Sequence, residues 1–202
     1  MPGAIKLPEP GFRGLRLEEA ILKRRSIREF ASKPLSLKEL SELLFAAAGR
    51  TAGPRSKFRA APSAGALYPI DVYAMVNSVE SLPPGIYRYR SEDHGLELVK
   101  EGPFAGQAQA QSLGQGAMGG CAAAFVMVAA FDRCRAKYGD MALRYVYMEA
   151  GHISQNIYLQ AASLGLGSVA VGAFSDDGWN KLMGLDGKKE SVVYVHPVGK
   201  VR

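Results

Sequence analysis

Cysteine is nearly absent, Cys121 and Cys134 being the only two in 202 residues. They are too far apart for a CxxC motif and too few for a disulfide scaffold, which suits a reducing compartment and leads us to expect a cytoplasmic protein. Histidine is as sparse: His94, His152 and His196 stand apart, with no cysteine or carboxylate at ligand spacing, so no metal centre is expected. His152 sits in a stretch dense in small residues and reads as a buried, hydrogen-bonded histidine. No GxSxG motif and no Ser-His-Asp order points to a hydrolase. Nothing approaches the roughly 18 consecutive apolar residues of a membrane helix, and the opening MPGAIKLPEPGF has no apolar signal-peptide core. A soluble, unexported protein with no membrane partner is expected.

What is present is one domain's worth of chain, 48% apolar, expected to fold as a single domain over residues 1–202. Lysine and arginine number 25 against 19 acidic residues, a formal charge of +6 that favours an anionic ligand. The positive charge comes in short groups, Lys23-Arg24-Arg25-Arg28, Arg50-Arg55-Lys57-Arg59 and Arg133-Arg135-Lys137, and no helix-turn-helix, zinc-finger or RNA-binding signature accompanies them. Nucleic acid is one candidate and a phosphorylated cofactor another, and the missing signatures weigh against nucleic acid. Gly114-Gln115-Gly116-Ala117-Met118-Gly119 satisfies GxGxxG but follows a helical stretch and precedes a strand, the reverse of the nucleotide fingerprint.

Along the chain, Leu17 to Lys23 has helical spacing. Ser36-Leu37-Lys38-Glu39 reads as a capping box, followed by Leu40, Leu43, Leu44, Ala47 and Ala48 at i, i+3, i+4 and stopped by Gly49. Residues 49–62 form a loop, and Asp71 to Val76 a strand. Ile86 to Arg90 and Leu96 to Val99 form a hairpin, and Ala122 to Phe131 is a continuous apolar strand of a sheet core. The longest helix runs from about Asp140 to Leu164, with Ala150, Gly151, Ala161 and Ala162 allowing close approach of another backbone. A strand at Ser168 to Ala173, a short helix capped by Ser175 and a strand at Val192 to His196 complete an α+β pattern.

Three stretches, in order, resemble the nitroreductase-like FMN flavoproteins. Arg24-Arg25-Ser26-Ile27-Arg28-Glu29-Phe30 resembles the N-terminal FMN-binding signature. On an extended stretch Arg24, Ser26 and Arg28 share one face, and two guanidiniums with a hydroxyl suit a phosphate dianion. Pro62-Ser63-Ala64-Gly65-Ala66-Leu67-Tyr68-Pro69 is similar to the turn that packs against the flavin ring, where small residues let backbone amides approach. Gly151-His152-Ile153-Ser154-Gln155-Asn156, running on to Leu164 through Phe174, is similar to the central helix and the strand after it. By that resemblance Val171, Gly172 and Ala173 meet the flavin edge, with backbone amides facing the developing negative charge. Lys200 and Arg202 are candidates to reach the phosphate.

Within the family, Ala66-Leu67-Tyr68-Pro69, Pro84-Gly85-Ile86-Tyr87-Arg88-Tyr89 and Lys137-Tyr138-Gly139 ahead of Arg144-Tyr145 are similar to the azoline-dehydrogenase branch, which oxidises thiazolines and oxazolines. There a Lys-Tyr pair resembling Lys137-Tyr138 is implicated in proton removal, because hydride loss to flavin requires a proton lost from the neighbouring atom. The resemblance implies a mostly antiparallel sheet flanked by helices, and a homodimer with FMN at its interface. It implies an oxidoreductase passing hydride from NADH or NADPH to a quinone, nitroaromatic or similar small-molecule acceptor, with azoline-type oxidation or flavin binding without turnover as alternatives. The sequence shows no peptide-recognition region, which favours the reductase.

Overall fold

The computed structural model describes residues 4–11, 14–53 and 56–202, so Arg55 of the second basic group lies outside the described residues. In chain order the elements are β1 (Ile5–Lys6), α1 (Leu17–Lys23), β2 (Phe30–Ala31), α2 (Leu37–Ala48), β3 (Ile70–Val76), β4 (Gly85–Arg90), β5 (Gly95–Glu101), α3 (Ala105–Gln111), α4 (Gly116–Gly120), β6 (Ala123–Ala130), α5 (Phe131–Tyr138), α6 (Ala142–Ser163), β7 (Leu166–Ser168), α7 (Asp176–Met183) and β8 (Glu190–Val201). Short 3-10 turns occupy Ala64–Ala66 and Gly139–Met141.

The strands form one sheet in the order β1-β5-β4-β3-β6-β8-β2, with β7 also on β8, and every ladder between named strands is antiparallel. Period-two alternation explains why β6 reads as unbroken apolar sequence. Ala123, Phe125, Met127 and Ala129 face a core shared with α2 and α6, whereas Ala124, Val126 and Val128 face a second core with Phe104, Met118 and Trp179. The fold is thus α+β, with helices on both faces of an antiparallel sheet.

The capping box forms as expected: the Ser36 hydroxyl accepts from the Glu39 amide at 3.2 Å and the Glu39 carboxylate accepts from the Ser36 amide at 2.8 Å. Of the small residues on α6, Ala150 and Ala161 turn inward to the chain's own core, and only Gly151 among the four is exposed. The central helix therefore packs closely on its own sheet and on α2.

Two strand boundaries differ from the sequence reading. The ladder expected over 168–173 is regular only over Leu166–Ser168 and resumes as a single bridge at Val171, opposite Val195. Pro197 is the reason: its carbonyl accepts from the Val169 amide at 3.2 Å, but it has no N–H to return. The neighbouring Ala170 amide donates instead to the Tyr158 hydroxyl at 2.8 Å. The last strand runs well beyond Val192 to His196, as far as Val201, because β6 supports one side while β7 and β2 complete the other.

Candidate active site

The turn between α2 and β3 is held in an unusual shape. Gly65, Ala66 and Tyr68 all have left-handed φ, at 60°, 53° and 48°. For the two non-glycine residues this conformation costs on the order of 1 kcal/mol or more each and persists only where neighbours enforce it. They do so here. The Tyr68 amide donates to the Ser63 hydroxyl at 2.9 Å, and the Arg59 amide donates to the Tyr68 hydroxyl at 3.0 Å. Arg133 donates to the Tyr68 carbonyl at 3.2 Å while gripping Asp71 through two bonds of 2.9 and 2.7 Å. The Arg59 guanidinium also covers the Tyr68 ring, 4.8 Å from its centroid.

Helix α5 brings the Lys137-Tyr138 pair to this turn. A Cβ placed on Gly65 would lie 2.8 Å from the Lys137 Nζ and 2.8 Å from the Tyr138 hydroxyl. An amine and a phenol, distant in sequence from residues 62–69, thus end on a residue whose missing side chain makes room for them. Lys137 Nζ lies 5.3 Å from the Tyr138 ring centroid, and Tyr145 backs that ring at 4.6 Å. Gly65 and Lys137 are exposed, so the meeting point is open to a ligand.

Beneath the turn, α6 contributes two side chains. His152 is exposed rather than buried, and its Nδ1 lies 3.3 Å from the Pro62 carbonyl, so the expectation of a core histidine is corrected. The residues around it are small because α6 packs closely on its own sheet, which buries Ala150 but leaves the His152 face outside. Glu149 is the buried group, 3% exposed. Its carboxyl faces the Ser63 hydroxyl and the Ile70 amide, and its Oε2 has no partner among the described residues. Burial pushes this carboxyl up to about 7, outweighing the polar groups of Ser63 and Ile70 and the fields of Arg59 and Arg133.

A second cluster forms farther along α6. The chain after α1 runs extended and bridges Ser26 to Ser168. Arg24 and Ser26 share a face as expected: the Arg24 guanidinium lies 5.1 Å from the Tyr158 ring centroid and the Ser26 hydroxyl 2.9 Å from the Tyr158 hydroxyl. Ile27 points oppositely and packs on Gly167. Arg25 turns back to the Leu22 and Arg24 carbonyls at 3.0 and 2.7 Å, closing the end of α1. Arg28 is exposed. Among the described residues no carboxylate lies within ion-pair distance of Arg24 or Arg28.

The strand after α6 leads away from Tyr158. Val171 is buried, whereas Gly172 and Ala173 are exposed; the Tyr194 ring lies beside Gly172, and Gln115 donates to the Ala173 carbonyl at 2.8 Å. Lys200 is engaged with Glu39, and Arg202 with Glu29 at 3.0 Å and the Phe30 carbonyl at 3.3 Å. The sequence singled out neither Glu149 nor Tyr158, although both organise these clusters. Leu67 and Ala64 lie half-buried within the turn, and Pro62 is exposed.

An antiparallel sheet with helices on both faces carries a Gly-centred turn beside a Lys-Tyr pair and two arginines that have no carboxylate partner among the described residues. The Nitroreductase family model matches residues 21–200, and the chain belongs to that family. A Methanocaldococcus jannaschii protein, MJ1384, named as a candidate nitroreductase, is 37% identical over 99% of this chain and 98% of its own length. A crystal structure of a candidate nitroreductase from Ralstonia eutropha superposes with a TM-score of 0.85 at 32% identity, covering 98% of this chain and 90% of that one. The Escherichia coli microcin B17-processing protein McbC is 29% identical over 83% of this chain and 63% of McbC. The structure of the microcin synthetase McbBCD complex with truncated pro-MccB17 bound matches 97% of this chain and 77% of its own, at a TM-score of 0.77 and 28% identity.

Proposed function

We propose that this protein is an FMN-dependent dehydrogenase in which Lys137 and Tyr138 take up the proton that accompanies hydride loss from a small azoline-like substrate. The observation that carries this reading is the convergence of the Lys137 Nζ and the Tyr138 hydroxyl on the Gly65 backbone. Likeness to McbC, which processes microcin B17, supports it.

The residues suit FMN. Arg24, Ser26 and Arg28 offer two guanidiniums without carboxylate partners among the described residues, and a hydroxyl, the donor set for a phosphate dianion. Arg202 belongs to this group only if its exposed pair with Glu29 opens, and Lys200 only if it leaves Glu39. Ser63, Ala64, Gly65 and Leu67 of the turn, with the exposed backbone of Gly172 and Ala173, would frame the ring. Bound FMN supplies a two-electron hydride acceptor. The work left to the protein is to hold substrate over that ring and to remove one proton. Lys137 would accept the proton from the substrate atom beside the hydride-bearing carbon, and Tyr138, at the same point of the turn, would orient it or relay the proton to solvent.

A second reading is that NADH or NADPH supplies the hydride and a quinone, nitroaromatic or similar small molecule receives it. The end-to-end likeness to MJ1384 favours it. One set of assays separates the two. The purified protein should be yellow and release FMN on denaturation. Lys137→Ala at equal FMN content should lower thiazoline oxidation by on the order of 10² to 10⁴ if the pair is the base. Wild type that oxidises no thiazoline but consumes NAD(P)H with a quinone, unchanged within a few-fold in Lys137→Ala, establishes the reductase instead.

We also propose a homodimer. Leu17, Ile21 and Leu22 on α1 and Leu143, Tyr147 and Met148 on α6 are exposed large apolar side chains, with Leu22 at 72% and Tyr147 at 57%. Exposed apolar side chains on α1 and on the start of α6 are candidates for an association surface. It completes the site if the partner covers the open side of Gly65.

A further inference from the structure

Glu149 is a carboxylic acid on the inward face of α6, among Val146, Ala150 and Ile153, where an apolar residue would pack more cheaply. Its position explains its presence. From the helix it reaches the Ser63 hydroxyl at the start of the strained turn and the Ile70 amide at its end. Ser63 in turn receives the Tyr68 amide at 2.9 Å, so one buried carboxyl faces both ends of a segment containing three left-handed residues. Gly65, against which Lys137 and Tyr138 end, lies at the crest of that segment. We propose that Glu149 is the positioning residue of the Lys137–Tyr138 site, its buried carboxyl fixing the 62–70 turn on which both side chains converge. This rests on the reading of Lys137 and Tyr138 as the proton-transferring pair.

The carboxyl does more than a neutral amide would, because its hydrogen bonds strengthen on ionisation. Burial pushes its titration up to about 7, so the turn is held by neutral-acid bonds below that pH and by charge-assisted bonds above it. The charged and titratable groups facing it are Arg59 from the loop before the turn, and Arg133 and the Cys134 thiol from α5. The two arginines favour the ionised form. Its second oxygen, Oε2, has no partner among the described residues to lock either state.

The test compares wild type, Glu149→Gln, which keeps the shape and removes the titration, and Ser63→Ala, which removes the link and keeps the acid. Amide hydrogen exchange at Tyr68 and Ile70, corrected for intrinsic rates, is measured at pH 6 and pH 8. In wild type the protection of Ile70 should rise several-fold between these values. It should be pH-independent in Glu149→Gln, and Tyr68 protection should fall in Ser63→Ala. In turnover, Glu149→Gln should lower kcat about ten-fold with KM within two-fold and lose the inflection near pH 7.

A uniform fall in rate with the inflection retained overturns the proposal, as does the same pH response of Ile70 in wild type and Glu149→Gln. If Glu149→Gln does not fold, unchanged Tyr68 protection in Ser63→Ala overturns it alone. Exchange needs neither flavin nor substrate, so a wild type inert toward thiazolines and nicotinamides refutes the functional reading and leaves the turn's dependence on Glu149 to be decided by exchange.

Discussion

His196 and Glu149 should give the stability of this protein two opposed pH dependences that single substitutions expose. His196 lies fully buried in β8, its Nδ1 2.8 Å from the Ser154 hydroxyl, its Nε2 without a partner among the described residues and its ring edge-on to Tyr158 at 4.4 Å. Burial alone pushes its imidazole down to about 3 from an ordinary 6.5. Only the unfolded chain takes up the proton between those values, so His196 costs nothing above pH 6.5 and destabilises progressively as pH falls, by about 1.4 kcal/mol per unit. From pH 6.5 to 4.5 that is about 2.5 kcal/mol. Glu149, raised to about 7 from 4.5, has the opposite sign: the native state holds its proton in this window, so acidification stabilises by a similar amount. In wild type the two largely cancel.

His196→Asn keeps a polar atom near Nδ1 and removes the titration. Relative to wild type it should gain about 2.5 kcal/mol between pH 6.5 and 4.5, whatever its offset at pH 7.5, while Glu149→Gln should lose about as much over the same range. Urea melts at pH 7.5, 6.5, 5.5 and 4.5 measure both. In a domain of this length the change corresponds to roughly 5 to 10 °C in Tm. A difference between His196→Asn and wild type that stays constant within about 0.5 kcal/mol across the series would refute the reasoning, since His196 would then titrate alike in both states.

Arg28→Ala should weaken FMN about ten-fold or more, because a charge-assisted phosphate bond contributes roughly 1.5 to 3 kcal/mol, and unchanged flavin occupancy by fluorescence titration would count against the phosphate assignment. Gly65→Ala would set a Cβ 2.8 Å from the Lys137 Nζ and the Tyr138 hydroxyl at a positive φ. It should cut Lys137-dependent turnover at least ten-fold while costing only about 1 kcal/mol of stability, as read by activity and urea melts together. Tyr147→Glu with Met148→Glu, on the exposed face of α6, should yield a monomer by light scattering if that face carries the dimer; a dimer that persists would place the interface elsewhere.

Local order in the chain was legible wherever neighbours in sequence are also neighbours in space. The capping box at Ser36 and Glu39, the stripe of α6 and the two-sided burial of β6 each follow from a period or a cap, and each formed where expected. The end of β7 was not legible from its own residues. It is set by the missing N–H of Pro197, which belongs to another strand. The meeting of Lys137 and Tyr138 with Gly65 was likewise out of reach, since no spacing relates a helix end to a turn before β3.

Glu149 is a different case, because its signal lay in the sequence. Val146, Ala150, Ile153 and Ile157 mark the inward stripe of α6, and Glu149 falls three residues after the first and four before the third, on the same face. A carboxyl on such a stripe must be neutralised, hydrogen-bonded or both, so it marks a place where the helix holds something polar. His152 lies one residue off that stripe, and the small residues around it, read as a sign of burial, reflect instead how closely α6 approaches its own sheet. Position on the helical face identifies the buried polar residue here better than the character of its neighbours does. The same rule separates His196, on a strand buried from both sides, from His152 at the edge of the turn.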